Sequence, residues 1–231
     1  MPYLYIDPWY IILVVPAMLL AFWAQINVNT TFSRYSKVLA PSGMTGAESA
    51  RRVLEANGVT GVRIERISGN LTDHFDPKTN TIRLSESVYD ATTVSAVGVA
   101  AHEAGHAVQY AVGYAPMQLR AAIIPATNIG SQLAMPLVLL GLIFSSAMLV
   151  DIGILAFSMS TLFQLVTLPV EFNASRRAVV TLESSCVSDT EVKGAKAVLR
   201  AAALTYVAAL AVSLASLLRI ILLFGNRNRR D

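Results

Sequence analysis

The chain has 231 residues, 54% of them hydrophobic and only 14% charged, against roughly 25% charged residues in an ordinary soluble domain. That shortage indicates a membrane protein before any segment is read. The net charge of +3 is modest and no basic cluster is interleaved with aromatic residues, so nucleic-acid binding has no support; the single cysteine, Cys186, excludes an intramolecular disulfide framework and a multi-cysteine metal cage.

Residues 9–26, WYIILVVPAMLLAFWAQI, form an uncharged apolar segment long enough to cross a bilayer, which takes about 20 helical residues. Trp9, Tyr10 and Trp23 lie near its ends, where amphipathic rings favour the interface. The start, MPYLYIDP, has none of the basic residues of a signal peptide, so a retained anchor is expected. Residues 28–119 hold most of the charge and read as a folded polar domain. In MTGAESARRVLEANGV, Thr45 and Glu48 have capping-box spacing, Ala50, Val53 and Leu54 supply an apolar stripe, and Gly58 suits a C-terminal turn. VRIERI (62–67) and NTIRLSE (80–86) each alternate apolar with polar residues, as half-buried strands do, and are expected to pair as a hairpin. A long helix is expected from about Ser87 to Ala111. Two apolar spans follow within 121–170, the first carrying Pro125 and Pro136, with a tight turn expected at Asp151. A polar segment, 171–199, precedes a last span at 201–224. The expected architecture is mainly α and integral to the membrane, with about four transmembrane helices.

The stretch AAHEAGHAVQY (100–110) holds two of the chain's three histidines. On a helix, residues i and i+4 share a face, so His102 and His106 can offer two imidazole nitrogens to one metal ion. Glu103 stands beside them, placed to take a proton from water; Zn²⁺ lowers the pKa of a ligated water to about 7. Ala104 and Gly105 keep the next turn slim. The bland alternative is a core helix whose His and Glu merely hydrogen-bond. A charged glutamate on an apolar helix is costly without a partner, however, and a metal supplies one. A zinc centre needs a third protein ligand. His74 is the remaining histidine, in the loop-like LTDHFDPKTN; Glu171 in LPVEFNASRRAV, just after an apolar span, is the stronger candidate. Glu183, Asp189 and Glu191 lie in a more polar stretch and read as a solvated face.

AAHEAGHAVQYAVGY together with LPVEFNASRRA closely resembles the YugP-like membrane zinc metallopeptidases and, more distantly, the HtpX and CAAX-prenyl-protease type. The resemblance extends over nearly the whole chain. It implies a zincin-like catalytic domain, a small β-hairpin or sheet plus the HExxH helix. It also implies one zinc per chain on His102, His106 and Glu171, with Glu103 as general base. The distant relatives read E-F-x-A-D, whose aspartate supports the first zinc histidine; Ser175 stands there in this chain, so that support is weaker or comes from elsewhere. Asn173, Arg176 and Arg177 are candidates to steady Glu171 or a tetrahedral intermediate, with ordinary membrane-flanking charge as the alternative reading. The resemblance further implies that an edge strand beside the zinc, here Asn80, Thr81, Ile82, Arg83 and Leu84, receives a protein substrate as an added strand. Membrane-protein quality control is the role it suggests. A site-2-type intramembrane protease would take an aspartate ligand from an N-x-x-P…D-G context, which is not found here; a non-catalytic zinc scaffold would not require Glu103.

For His102 and Glu171 to meet, the polar segments 28–119 and 171–199 must share one side of the membrane. That side then carries every Lys and Arg except Arg219, Arg227, Arg229 and Arg230. Positive-inside counting makes it cytoplasmic, in a multi-pass protein of the inner (cell) membrane.

Overall fold

The computed structural model describes residues 7–185 and 188–224, so Cys186, the chain's first residues and the arginine-bearing tail lie outside the described residues. The chain divides into two compact units. One comprises the described residues of 1–24, 119–168 and 205–231; the other comprises 25–118 and 169–204. Four helices are long and apolar enough to cross a membrane: Tyr10–Tyr35, Ala115–Ile143, Ala147–Ser184 and Asp189–Phe224.

In the first unit a π-helical stretch, Tyr10–Val14, leads into the first part of α1 (Val15–Tyr35), whose remainder from Gln25 belongs to the second unit. The unit also holds most of α5 (Ala115–Ile143), the first part of α6 (Ala147–Ser184) and the last part of α7 (Asp189–Phe224). The turn expected at Asp151 falls earlier, at Phe144–Ser146, where Ser145 adopts φ 51°; Asp151 lies inside α6. Small residues explain the difference, because they let the two helix backbones close up before that aspartate is reached. A Cβ on Gly141 would lie 2.8 Å from the Val150 nitrogen, and one on Gly130 would lie 2.8 Å from the Ala156 carbonyl oxygen. Such small-residue contacts are how helices associate where no water drives burial. Pro125 and Pro136 are accommodated within an uninterrupted α5.

In the second unit, α2 (Gly46–Ala56) starts with the expected capping box. The Thr45 side chain accepts from the Glu48 N–H, and Glu48 accepts from the Thr45 N–H. Gly58, at φ +66°, makes the turn after it. Three strands follow, β1 (Arg63–Ile67), β2 (His74–Asp76) and β3 (Thr81–Ser85), in the order β1-β3-β2. The expected hairpin between the first and last of these is corrected: β1 and β3 run parallel. The hairpin is instead β2–β3, closed where Asp76 accepts from the Lys78 N–H and the Thr79 hydroxyl. Alternation marks a strand's faces and carries no information on its direction. The short β2, three residues long, lies in the stretch expected to be loop-like.

The expected helix from Ser87 is broken in two. α3 (Glu86–Tyr89) ends at Asp90, and α4 (Val94–Ala111) restarts with the Thr93 side chain accepting from the Ala96 N–H. Threonine competes for backbone donors and so favours a cap over a helix interior. The core of this unit is α4, flanked by α2, the sheet and the extramembrane part of α6: Val53, Ile82, Leu84, Val97, Val108 and Leu182 are all fully buried.

Candidate metal centre

An α6 of 38 residues spans roughly 57 Å, against about 30 Å of hydrocarbon. Its apolar first part is therefore followed by a long extension, and Glu171 is carried on that extension, in the same unit as α4. The approach of α6 to α4 depends on Gly105. A Cβ there would lie 2.5 Å from the Ala174 carbonyl oxygen, so only glycine lets the two backbones come this close. The Gly of the HEAGH stretch thereby sets the distance between the histidines and Glu171.

His102, His106 and Glu171 place their ligand atoms within 4.8 Å of one another. His102 Nε2 lies 3.2 Å, and His106 Nε2 3.5 Å, from Glu171 Oε2. Ligands about 2.0–2.1 Å from a tetrahedral zinc stand about 3.3 Å apart, so the two His–Glu separations suit zinc and the three residues could hold one. His74 is the first residue of β2, exposed, with Nδ1 2.8 Å from the Thr72 carbonyl, and is not part of the group.

The Nδ1 atoms face the other way and are separately held. His102 Nδ1 is 3.0 Å from Ser175 Oγ, and His106 Nδ1 is 3.0 Å from Gln109 Oε1. With each Nδ1 protonated and donating, both Nε2 lone pairs are free for a metal. Ser175 is thus the hydrogen-bonding neighbour of the His102 Nδ1. Gln109 was missed, although it sits inside the motif stretch, three residues after His106. It is fully buried and donates through Nε2 to the Val170 carbonyl (2.7 Å) and to Asn173 Oδ1 (3.0 Å), which also accepts from Arg177 Nε. Asn173 therefore supports Gln109, not a ligand. Arg176 touches neither histidine nor Glu171: its side chain points outward, and Arg177 is the arginine joined to the network.

Glu103 is nine-tenths buried, yet among the described residues it makes no hydrogen bond and no ion pair. A buried carboxylate without partners is costly. Its neighbours register its charge. Burial on its own would lower the His106 pKa, but the hydrogen bond to Glu171 and the charges of Glu103 and Glu171 outweigh it, so the pKa is raised. Asp73, the residue before β2, is pushed up by burial, against hydrogen bonds from Ser85 and with the charge of Glu103 adding to the rise. Negative potential converging on His102 and His106 favours a cation there.

The expected edge strand is corrected. Thr81, Ile82, Arg83 and Leu84 belong to β3, the central strand, hydrogen-bonded to β1 on one side and β2 on the other, and Asn80 sits in the preceding turn at φ 49°. No added strand can pair with them. The edge nearer this part of α4 is β2, whose Phe75 ring packs 5.8 Å from Tyr110 of α4. Glu191, read as part of a solvated face, is fully buried and accepts from the Ser42 hydroxyl (2.8 Å) and backbone N–H (3.2 Å); Glu183 pairs with Lys196.

Comparison with known proteins agrees with this centre. Residues 10–225 match the model of a family described as "putative neutral zinc metallopeptidase". The chain is also 48% identical over 218 residues, covering 94% of this chain and 97% of the relative, to the "putative membrane protease YugP" of Bacillus subtilis (strain 168). No solved structure matches. With four apolar helices and a His, His, Glu group that fits zinc, the chain belongs to this family of membrane zinc metallopeptidases.

Proposed function

We propose that the protein is a zinc-dependent endopeptidase with one zinc per chain, held by His102, His106 and Glu171, that cuts protein substrates near the membrane surface. The observation that carries this reading is Glu103: a buried, unpartnered carboxylate adjoining a three-residue donor set of zinc-like spacing. Zinc, when bound, supplies a Lewis acid that activates water and polarises the scissile carbonyl. Glu103 accepts the proton of the attacking water and passes it to the leaving amine, and its lack of any competing partner keeps it available as a base. Ser175 and Gln109 hold the two imidazoles in one tautomer. The substrate backbone pairs with the open edge of β2, where hydrogen bonds depend little on side-chain identity. Positive-inside counting favours the cytoplasmic side of the cell membrane for this unit, and that supports a role in trimming membrane proteins in quality control.

The test is zinc content and turnover on a membrane-protein substrate in detergent-purified variants. Glu171→Ala is expected to lose most of its zinc. Glu103→Gln is expected to keep its zinc and lose activity by about 10²–10⁴-fold. A Glu103→Gln variant as active as the parent would remove the peptidase reading and leave a structural metal.

A further inference from the structure

Beyond the metal centre, α6 and α7 flank a groove of about 270 Å³ whose floor is apolar, made by Phe172, Val179, Leu199 and Ala203. Arg176 and Arg200 stand on its rim, both exposed. Among the described residues neither has a hydrogen-bond or ion-pair partner. Lys196, the third cation of the lining, is already neutralised by Glu183 at 2.5 Å. No carboxylate lines the groove. Phe172 comes two residues after the apolar run 152–170, and Ala203 lies in the first turn of the run 201–224. Arg200 therefore immediately precedes the apolar segment of its helix, and Arg176 lies six residues, nearly two turns, beyond the end of the apolar segment of its own.

We propose that this groove binds one anionic phospholipid, its phosphate held by Arg176 and Arg200 and the upper part of an acyl chain lying along Phe172 and Ala203. Guanidinium groups hold phosphate oxygens in a bidentate fork, and the apolar floor continues toward the side on which the acyl chains lie. A substrate peptide fits less well. The groove walls are helices with no free strand edge to offer a peptide backbone. The groove is also reached through Ser175, which faces the Nδ1 of His102, whereas the metal-facing Nε2 points away from it. Through Ser175 the lipid site adjoins the support of a zinc ligand.

The test is native mass spectrometry of the full chain released from nanodiscs containing equal phosphatidylglycerol and phosphatidylcholine of matched acyl length. Retention is expected to favour phosphatidylglycerol by roughly tenfold or more, since each cation near an anionic surface contributes about a factor of five. R176Q/R200Q should abolish the preference, R176K/R200K should keep most of it, and Lys193→Gln, outside the groove, should not change it. Equal retention of both lipids by the parent chain overturns the proposal, as does a preference that survives R176Q/R200Q. Displacement of the lipid by millimolar glycerol 3-phosphate would show a free-phosphate site, and displacement by an acidic peptide at lower concentration a peptide site; either also overturns it.

Discussion

The two units differ in how fully their buried polar groups are joined. In the unit that carries α4, polar side chains deep in the core are joined in chains: Gln109 links His106 to Val170 and Asn173, and Glu191 is held twice by Ser42. In the membrane unit, the buried hydroxyls of Thr127, Ser160 and Thr167 have no partner. Its prominent polar feature is an ion pair in which Arg219 donates from Nε and Nη2 to Asp7, with the guanidinium 5.2 Å from the Tyr10 ring. Its helices rely on glycine-mediated contact. Polar networks are thus densest around the candidate metal centre, and the membrane unit combines close packing with isolated polar pairs.

Matched glycine substitutions break that comparison most strongly. Gly105→Ala puts a methyl 2.5 Å from the Ala174 oxygen, so α6 must shift where it carries Glu171. Such overpacking costs about 1–3 kcal/mol, and zinc content is expected to fall more than tenfold by elemental mass spectrometry. Gly130→Ala makes a comparable 2.8 Å contact with Ala156 in the membrane unit; it should lower Tm in detergent while the zinc stays. Zinc loss in both variants would show that the metal centre answers to the membrane helices as a whole.

Removing the charge of Arg219 is the next largest effect. Arg219→Gln leaves the Asp7 carboxylate without its counter-ion, and Tm is expected to fall with zinc content unchanged. Adding Asp7→Asn should recover part of the loss, because two neutral groups cost less than one unpaired charge. A double variant less stable than the single would mean that the Asp7 charge itself stabilises the helix start, where it accepts from the Tyr10 N–H.

Gln109→Leu tests the polar chain itself. The His106 Nδ1–H loses its acceptor, and the Val170 carbonyl loses its donor. Zinc affinity, measured by chelator competition, is expected to drop 10–100-fold. Unchanged affinity would show that packing alone orients His106.

These residues also show what a sequence discloses. The motif helix, the capping box at Thr45, the four apolar helices and the pairing of Glu171 with the two histidines were all readable, because each rests on local spacing or on the composition of one segment. The parallel pairing of β1 with β3, the interior position of β3 and the role of Gln109 were not, because each depends on what a distant segment brings alongside. Gln109 did leave a signal: an amide one turn after the second histidine, on the histidine face of an apolar helix, has little reason to be there except to bond a ring nitrogen. The break at Asp90–Thr93 was also visible in principle, as a threonine cap inside an apparently continuous helix.

The smallest expected effect falls on Ser175, where the sign carries the information. Its hydroxyl is a neutral acceptor for the His102 Nδ1–H, weaker than a carboxylate would be. Ser175→Ala should reduce zinc affinity by no more than about tenfold, the lower end of what such supporting partners contribute. Ser175→Asp should act in the opposite direction, since an anionic acceptor makes the imidazole a stronger donor to the metal. The groove behind Ser175 is rimmed by Arg176 and Arg200, so the added carboxylate enters a positive environment and has little reason to take up a proton instead. Tighter zinc binding in the aspartate variant, with weaker binding in the alanine variant, would establish the hydroxyl as the support of His102. Weakening in both would mean that the small volume of serine matters more than its hydrogen bond.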